Sequence, residues 1–276
     1  MIIYIVFLII IIILLSKKKS TFGNKNNNFN SKNKIGIVSM MYKPKNIDSW
    51  LEIHRKLGIS HFYIRLEDTP ELIDYLKKQP DVTLEIGGST SGNQYRSLMD
   101  RQMKMMEDAN QKGKNEVDWL IHIDCDEILD GNLKEIIDLP ESVDTFWMQN
   151  HEAVYSSIPK SKDTCFQAKY FKDCGKPNSG CVSYINGKGG SRVLEGIKVK
   201  GPHRYKGMKR EVKLNNVIVK HFESCDFDQY ITKYQRYQKD VNLESIPFKY
   251  YRDSILAKND LSKLKETFIK YRVANN

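Results

Sequence analysis

From residue 35 onward, short apolar runs alternate with stretches whose apolar residues recur every three to four positions, the rhythms of buried strand and amphipathic helix. Ile35–Tyr42 reads as a buried strand. Ser49-Trp50-Leu51-Glu52 has a capping-box pattern and opens a helix that Gly58 closes. His61–Leu66 reads as the second strand, and Thr69 and Pro70 suit the N-cap and first turn of a helix reaching Lys78. Val82–Ile86 gives a third strand and Gln94–Gln111 a long helix. A fourth strand, Val117–Ile123, runs into Asp124-Cys125-Asp126-Glu127. This β-α-β-α-β-α-β order implies an α/β fold with a mostly parallel sheet and helices on both faces. Such sheets bind ligands beyond the carboxyl ends of their strands. The second half is less regular: Val143–Gln149, Val193–Lys200 and Val212–Lys220 are strand candidates, and helices are expected from Asp226 and from Asp253. No linker divides the halves, so residues 35–276 read as one domain.

Two segments precede that domain. Met1 to Leu15 is an unbroken apolar run, which as a helix spans roughly 22 Å against a hydrocarbon core of roughly 30 Å. The lysines behind it can snorkel, so a short transmembrane signal-anchor and a single-pass membrane protein are expected. The side of the membrane stays open. Lys17, Lys18 and Lys19 favour a cytoplasmic tether, whereas a lumenal enzyme needs the reverse. Residues 16–34 are polar and low in complexity, a flexible basic tether.

The net charge of +10 changes little. Residues 1–34 hold six lysines and no acid, so the domain itself carries only +4, and no nucleic-acid partner is expected. Five cysteines stand at irregular spacing. Cys165, Cys174 and Cys181 lie close enough in sequence for one bridge in an oxidising compartment, but free thiols are the expected state.

The sharpest chemical signal is WLIHIDCDEIL, residues 119–129. In extended chain Asp124 and Asp126 share one face, their Cα atoms about 6.5–7 Å apart. Carboxylates that converge at a strand end repel unless a cation intervenes, and Mn²⁺ or Mg²⁺ prefers such ligands while leaving positions for phosphate oxygens. A haloacid-dehalogenase-like phosphohydrolase with Asp124 as nucleophile shares this local look. Its motif belongs on the first strand of its domain, however, and here three strands precede it. A non-catalytic, membrane-tethered sugar-binding protein is the other alternative.

Five stretches together resemble glycosyltransferase family 92 and its family-2-like relatives: SWLEIHRKLGISHFYI (49–64), NQYRSLMDR (93–101), DWLIHIDCDEIL (118–129), GKGGSRV with GPHRYKG (187–207), and VKHFESCDFDQYITKYQR (219–236). The resemblance implies a GT-A-like fold, a nucleotide-diphosphate-sugar donor, a glycan or glycoconjugate acceptor, a divalent metal and inverting hexosyl transfer. Two stretches depart from the family pattern. Lys45-Asn46 stands where relatives carry an Asn-Glu pair, and Leu66-Glu67-Asp68-Thr69 replaces an Asp-rich turn with glycine.

On that resemblance, Asp126 is the first metal ligand, Asp124 contacts the metal or the donor ribose, and His221 returns as a third ligand. Tyr42, Asp68, Gln94, Arg96 and Arg101 complete the donor-binding set, the arginines reaching for the diphosphate. His203 and Trp147 are placed on the acceptor side. Inversion needs a carboxylate to deprotonate the acceptor hydroxyl, and Glu152, Asp163 and Glu195 are the candidates. His54, His61 and His122 are expected to be structural.

Overall fold

The computed structural model describes residues 33–88, 95–160, 165–236 and 242–274. The expected anchor, residues 1–15, and the tether as far as residue 32 lie outside the described residues. The strands are β1 (Ile35–Tyr42), β2 (His61–Glu67), β3 (Val82–Gly87), β4 (Trp119–His122), β5 (Glu127–Gly131), β6 (Val143–Met148), β7 (Asn150–Val154), β8 (Tyr170–Asp173), β9 (Lys188–Arg192), β10 (Lys198–Gly201), β11 (Arg204–Lys206), β12 (Arg210–Lys213) and β13 (Val217–His221). The helices are α1 (Ile47–Leu57), α2 (Ile73–Lys77), α3 (Tyr95–Lys112), α4 (Lys134–Ile137), α5 (Phe227–Gln235), α6 (Lys249–Ala257) and α7 (Leu261–Arg272).

A seven-stranded sheet runs β12-β6-β9-β4-β1-β2-β3. Its half β4-β1-β2-β3 is parallel, as the sequence implies, while β9 enters antiparallel between β4 and β6. Strand β1 is buried on both faces, and its alternate residues serve two cores. Ile35, Ile37 and Met41 pack with Trp50 and Leu51 of α1, whereas Val38 and Met40 pack with Met105 and Met106 of α3.

A four-stranded sheet, β5-β13-β7-β8, was not legible from the chain. Ile128 and Leu129 continue the apolar run of β4, but the chain turns at Asp124–Asp126 and starts β5 in the other sheet. Helix α1 covers the exposed edge of β5. Trp50 Nε1 donates to the Glu127 carbonyl at 2.8 Å, and the Leu129 N–H donates to His54 Nε2 at 3.1 Å. An edge strand that meets a helix in this way is closed to further pairing.

Four expectations are corrected. Helix α1 begins at Ile47, whose side chain is buried at the head of the stripe Ile47, Trp50, Leu51, His54. Ser49 and Glu52 therefore lie inside the helix and form no capping box, although Gly58 does end it in left-handed conformation, φ 105°. Val193–Lys200 is not one strand, because a turn at Gly196, φ 86°, separates β9 from β10. Val212–Lys220 also splits: Glu135 accepts the Asn215 and Asn216 N–H groups, each at 2.8 Å, and fixes a turn that sends β12 and β13 to different sheets. Asp253 starts no helix. It lies within α6, bonded to Lys249 and Tyr271, and Asp260 caps a third terminal helix, α7.

The cysteines are also corrected. Cys165 pairs with Cys225 and Cys174 with Cys181, leaving Cys125 as the free thiol. The first pair is 60 residues apart in sequence but 4.7 Å apart between Cα atoms, a proximity only the fold creates.

Candidate active site

The carboxyl ends of β1, β2 and β4 open onto a cleft of about 620 Å³. Its walls include Tyr42, Lys43 and Lys45 after β1, Glu67 and Thr69 after β2, and Met99, Arg101 and Gln102 of α3. The turn Asp124–Asp126, then Tyr184, His203 and His221, and then Lys233 and Arg236 of α5 close it. The position follows from the parallel half-sheet, whose strands end together here.

Asp124, Asp126 and His221 all reach this cleft, although the two acids lie on a tight turn and not in extended chain. The turn aims them apart. Asp126 Oδ2 stands 3.8 Å from His221 Nε2, and Ser183 Oγ bonds His221 Nδ1 at 3.2 Å. Asp124 Oδ2 instead takes the Lys188 ammonium at 2.5 Å, and its Oδ1 accepts from Gln102 Nε2 at 3.0 Å. Burial alone would raise both aspartates, but Lys188 beside Asp124 and His221 beside Asp126 override it and hold both carboxyls below their usual range. Burial would likewise lower His221, yet the Asp126 carboxylate beside it raises it. The result is a carboxylate and an imidazole facing one another across the cleft wall.

Lys188 is the main residue that sequence reasoning missed. Fully buried, it also reaches Glu127 Oε2 at 3.2 Å. Glu127 accepts the Asp124 backbone N–H at 2.7 Å and the Tyr184 hydroxyl, which makes it the brace of the turn. The available signal was a lysine set among glycines in GKGG: Gly187 has φ 65°, and a Cβ there would fall 1.9 Å from the Met148 carbonyl oxygen. Only glycine admits this close turn, and the turn delivers Lys188 beneath the acids.

The remaining candidates divide. Tyr42 lines the cleft under the Arg236 guanidinium, 3.2 Å from its ring centre. Arg101 lines it too, but Nε and Nη2 are tied to Glu67 at 2.8 and 3.1 Å. Asp68 follows β2 in left-handed conformation, φ 44°, exposed and apart from the lining. His203 lines the cleft against the Tyr184 ring, 4.6 Å between centres, and burial pushes it down to about 3. Trp147 is stacked between Arg204 and Lys213 away from the cleft. Glu152 is buried beneath Arg272 and the Val182 N–H, and Glu195 sits exposed on the turn before β10, so neither faces the cleft. Gln94, Asp163 and the side chain of Arg96 lie outside the described residues. His54 and His122 are structural as expected: burial lowers each to about 4.

A divalent ion fits this arrangement at one pair. Neighbouring ligands of an octahedral ion at about 2.1 Å stand about 3.0 Å apart, so Asp126 Oδ2 and His221 Nε2, now 3.8 Å apart, need to close by less than about 1 Å to share one. One carboxylate and one imidazole also match the donor set that Mn²⁺ accepts.

No curated protein matches the chain. Among solved structures, HddC from Yersinia pseudotuberculosis is 12% identical over 71% of this chain and 96% of its own, with a TM-score of 0.36. The same protein complexed with GMP-PN gives 10% identity, 72% and 97% coverage and a TM-score of 0.38. Rv0371c from Mycobacterium tuberculosis gives 10% identity, 45% and 68% coverage and a TM-score of 0.31. TM-scores this low carry no argument about this chain. The family comparison does: the model of glycosyltransferase family 92 matches residues 37–271, and the chain belongs to that family.

Proposed function

We propose that the chain transfers a hexosyl group, with inversion, from a nucleotide-diphosphate sugar to a hydroxyl of a glycan or glycoconjugate, on a GT-A-like domain tethered to a membrane through residues 1–15. The observation that carries this reading is the Asp126–His221 pair on the wall of the cleft, in a chain whose family transfers sugars. Asp126 and His221 would hold Mn²⁺ or Mg²⁺, and such an ion would supply positive charge against the departing nucleoside diphosphate. Tyr42 and Arg236 offer a stacked platform beside the phosphates, and Lys43 and Lys45 add positive charge at the rim. His203 and Tyr184 shape the far side of the cleft for the acceptor. Of the three expected bases, Glu152 is closed off and Glu195 stands outside the cleft, which leaves Asp163 to test by substitution with Asn. Family membership displaces the phosphohydrolase alternative. Among the described residues no helix is long and apolar enough to cross a membrane, so the anchor rests on the sequence of residues 1–15.

The test is a thermal-shift screen against nucleoside diphosphates and their sugars, with and without Mn²⁺, followed by donor hydrolysis. Binding at 100 Kd raises stability by about 2.7 kcal/mol, an easily read shift. The wild type is expected to shift only with metal and nucleotide together, and Asp126→Ala and His221→Ala to abolish the shift. Donor binding without turnover under any divalent ion would favour a non-catalytic sugar-binding role.

A further inference from the structure

Asp124 and Asp126 stand two positions apart, yet their carboxylates meet different cations. Asp126 faces His221. Asp124 Oδ2 meets Lys188 Nζ at 2.5 Å, and the same ammonium reaches Glu127 at 3.2 Å. Lys188 and Glu127 are 0% exposed. Among the described residues, Asp124, Asp126 and His221 do not bring three ligand atoms within 4.8 Å of one another.

A buried ammonium is tolerated only beside anions, and two buried carboxylates only beside a cation. Lys188, Asp124 and Glu127 meet both conditions together. The negative charge that a second metal contact would neutralise at Asp124 is thus already neutralised by a cation built into the chain. The backbone around Lys188 leaves little play. A Cβ at Gly189 would lie 2.9 Å from the His203 carbonyl oxygen, and one at Gly190 would lie 2.3 Å from the Phe146 ring. Strand β9 is pressed between β4 and β6, which fixes where the lysine emerges.

We infer that Lys188 is a positioning residue: it is the resident counter-ion of Asp124 and Glu127, and it keeps Asp124 out of the ligand set of the divalent ion, which Asp126 and His221 hold without it. This inference rests on the metal-dependent reading above. Asp124, held by Lys188 and Gln102, keeps spare lone pairs on the cleft wall to accept a hydroxyl.

The experiment is a titration of the full chain with Mn²⁺ alone, read by loss of the free-ion electron paramagnetic resonance signal. Asp124→Asn is expected to keep the wild-type affinity within about threefold, whereas Asp126→Asn loses about tenfold or more, as removal of a charged ligand does. Lys188→Met leaves Asp124 and Glu127 without their cation. It is expected to bind Mn²⁺ about tenfold more tightly, as the freed Asp124 joins the ligand set, and to melt at a temperature that rises with Mn²⁺ more steeply than the wild type. A purely structural lysine would change melting but not Mn²⁺ affinity. Equal losses in Asp124→Asn and Asp126→Asn would make Asp124 a ligand and overturn the inference while leaving the metal site intact. Unchanged Mn²⁺ affinity in Lys188→Met would also overturn it. Normal Mn²⁺ binding by both Asp126→Asn and His221→Ala would sink the metal-dependent reading itself. Should Lys188→Met fail to fold, the Asp124→Asn comparison decides, because that variant leaves Lys188 paired with Glu127.

Discussion

Arg101 reaches the cleft with its guanidinium already engaged by both oxygens of Glu67, and Arg65 donates to the same carboxylate at 3.2 Å. Glu67 is 2% exposed, so it works as a buried anchor for two arginines from different elements. Removing it leaves Arg101 without its carboxylate, while Arg65 keeps Glu85: Glu67→Ala should cost about 3 kcal/mol, the lower end of the loss from breaking a buried ion pair from one side. Urea denaturation measures this directly, and a loss under about 1 kcal/mol would mean that water already serves these arginines. His221 comes from the family resemblance, whereas Asp124 and Asp126 could be picked out from local pattern alone, since an apolar strand that ends in acids announces a crevice. Glu67 and Lys188 could not. Their partners lie 34 and 64 residues away, and an isolated lysine or glutamate in a sequence reads as surface.

Elements with strong periodicity and clear punctuation, β1 to β4, α1 and α3, stood out in the chain because Gly58 ends α1 and apolar residues fill both faces of the strands, whereas Pro70 opens a 3₁₀ turn and α2 starts only at Ile73. The second sheet did not, because nothing local distinguishes β5 from a continuation of β4. The switch depends on α1, whose Trp50 and His54 meet the backbone of β5. The cystines tie irregular elements to this frame. Cys225 stands just before the capping residue Asp226 of α5, the helix that brings Lys233 and Arg236 to the cleft. Its partner closes a loop 60 residues long, against 7 for the second cystine. Chain entropy then assigns about 4 kcal/mol to the long loop and about 2 kcal/mol to the short one. Comparing Cys165→Ala/Cys225→Ala with Cys174→Ala/Cys181→Ala by urea midpoint should show the larger loss in the first. The reverse order would indicate residual structure in the unfolded chain.

Protons couple to the molecule as a whole. His54 and His122 are buried and neutral, each lowered from 6.5 to about 4 mainly by burial. Between pH 6.5 and 4 the unfolded chain therefore binds protons that the folded chain refuses, and stability falls as pH falls. These two alone give a slope approaching about 2.7 kcal/mol per pH unit, twice the single-proton value, and His203, lowered by burial to about 3, adds to it in the same direction. His221 acts in the opposite sense. Raised by Asp126, it stabilises the metal-free fold below pH 6.5, and that contribution is lost as pH rises through its folded value. Melting temperature without metal should peak near pH 6.5 and decline on both sides. A flat profile from pH 6.5 to 4 would show that the two buried histidines find water in the fold.

Arg272, buried at the end of α7, grips Glu152 across 120 residues of chain, and Glu152 is the register partner of His221 between β7 and β13. During synthesis on the ribosome the parallel half-sheet can assemble early, but this clamp behind the histidine cannot form until residue 272 has cleared the exit tunnel. Until then Glu152 lacks the cation that it meets in the finished fold. The nascent chain therefore completes the wall behind His221 only after α7 has emerged and folded back onto β7.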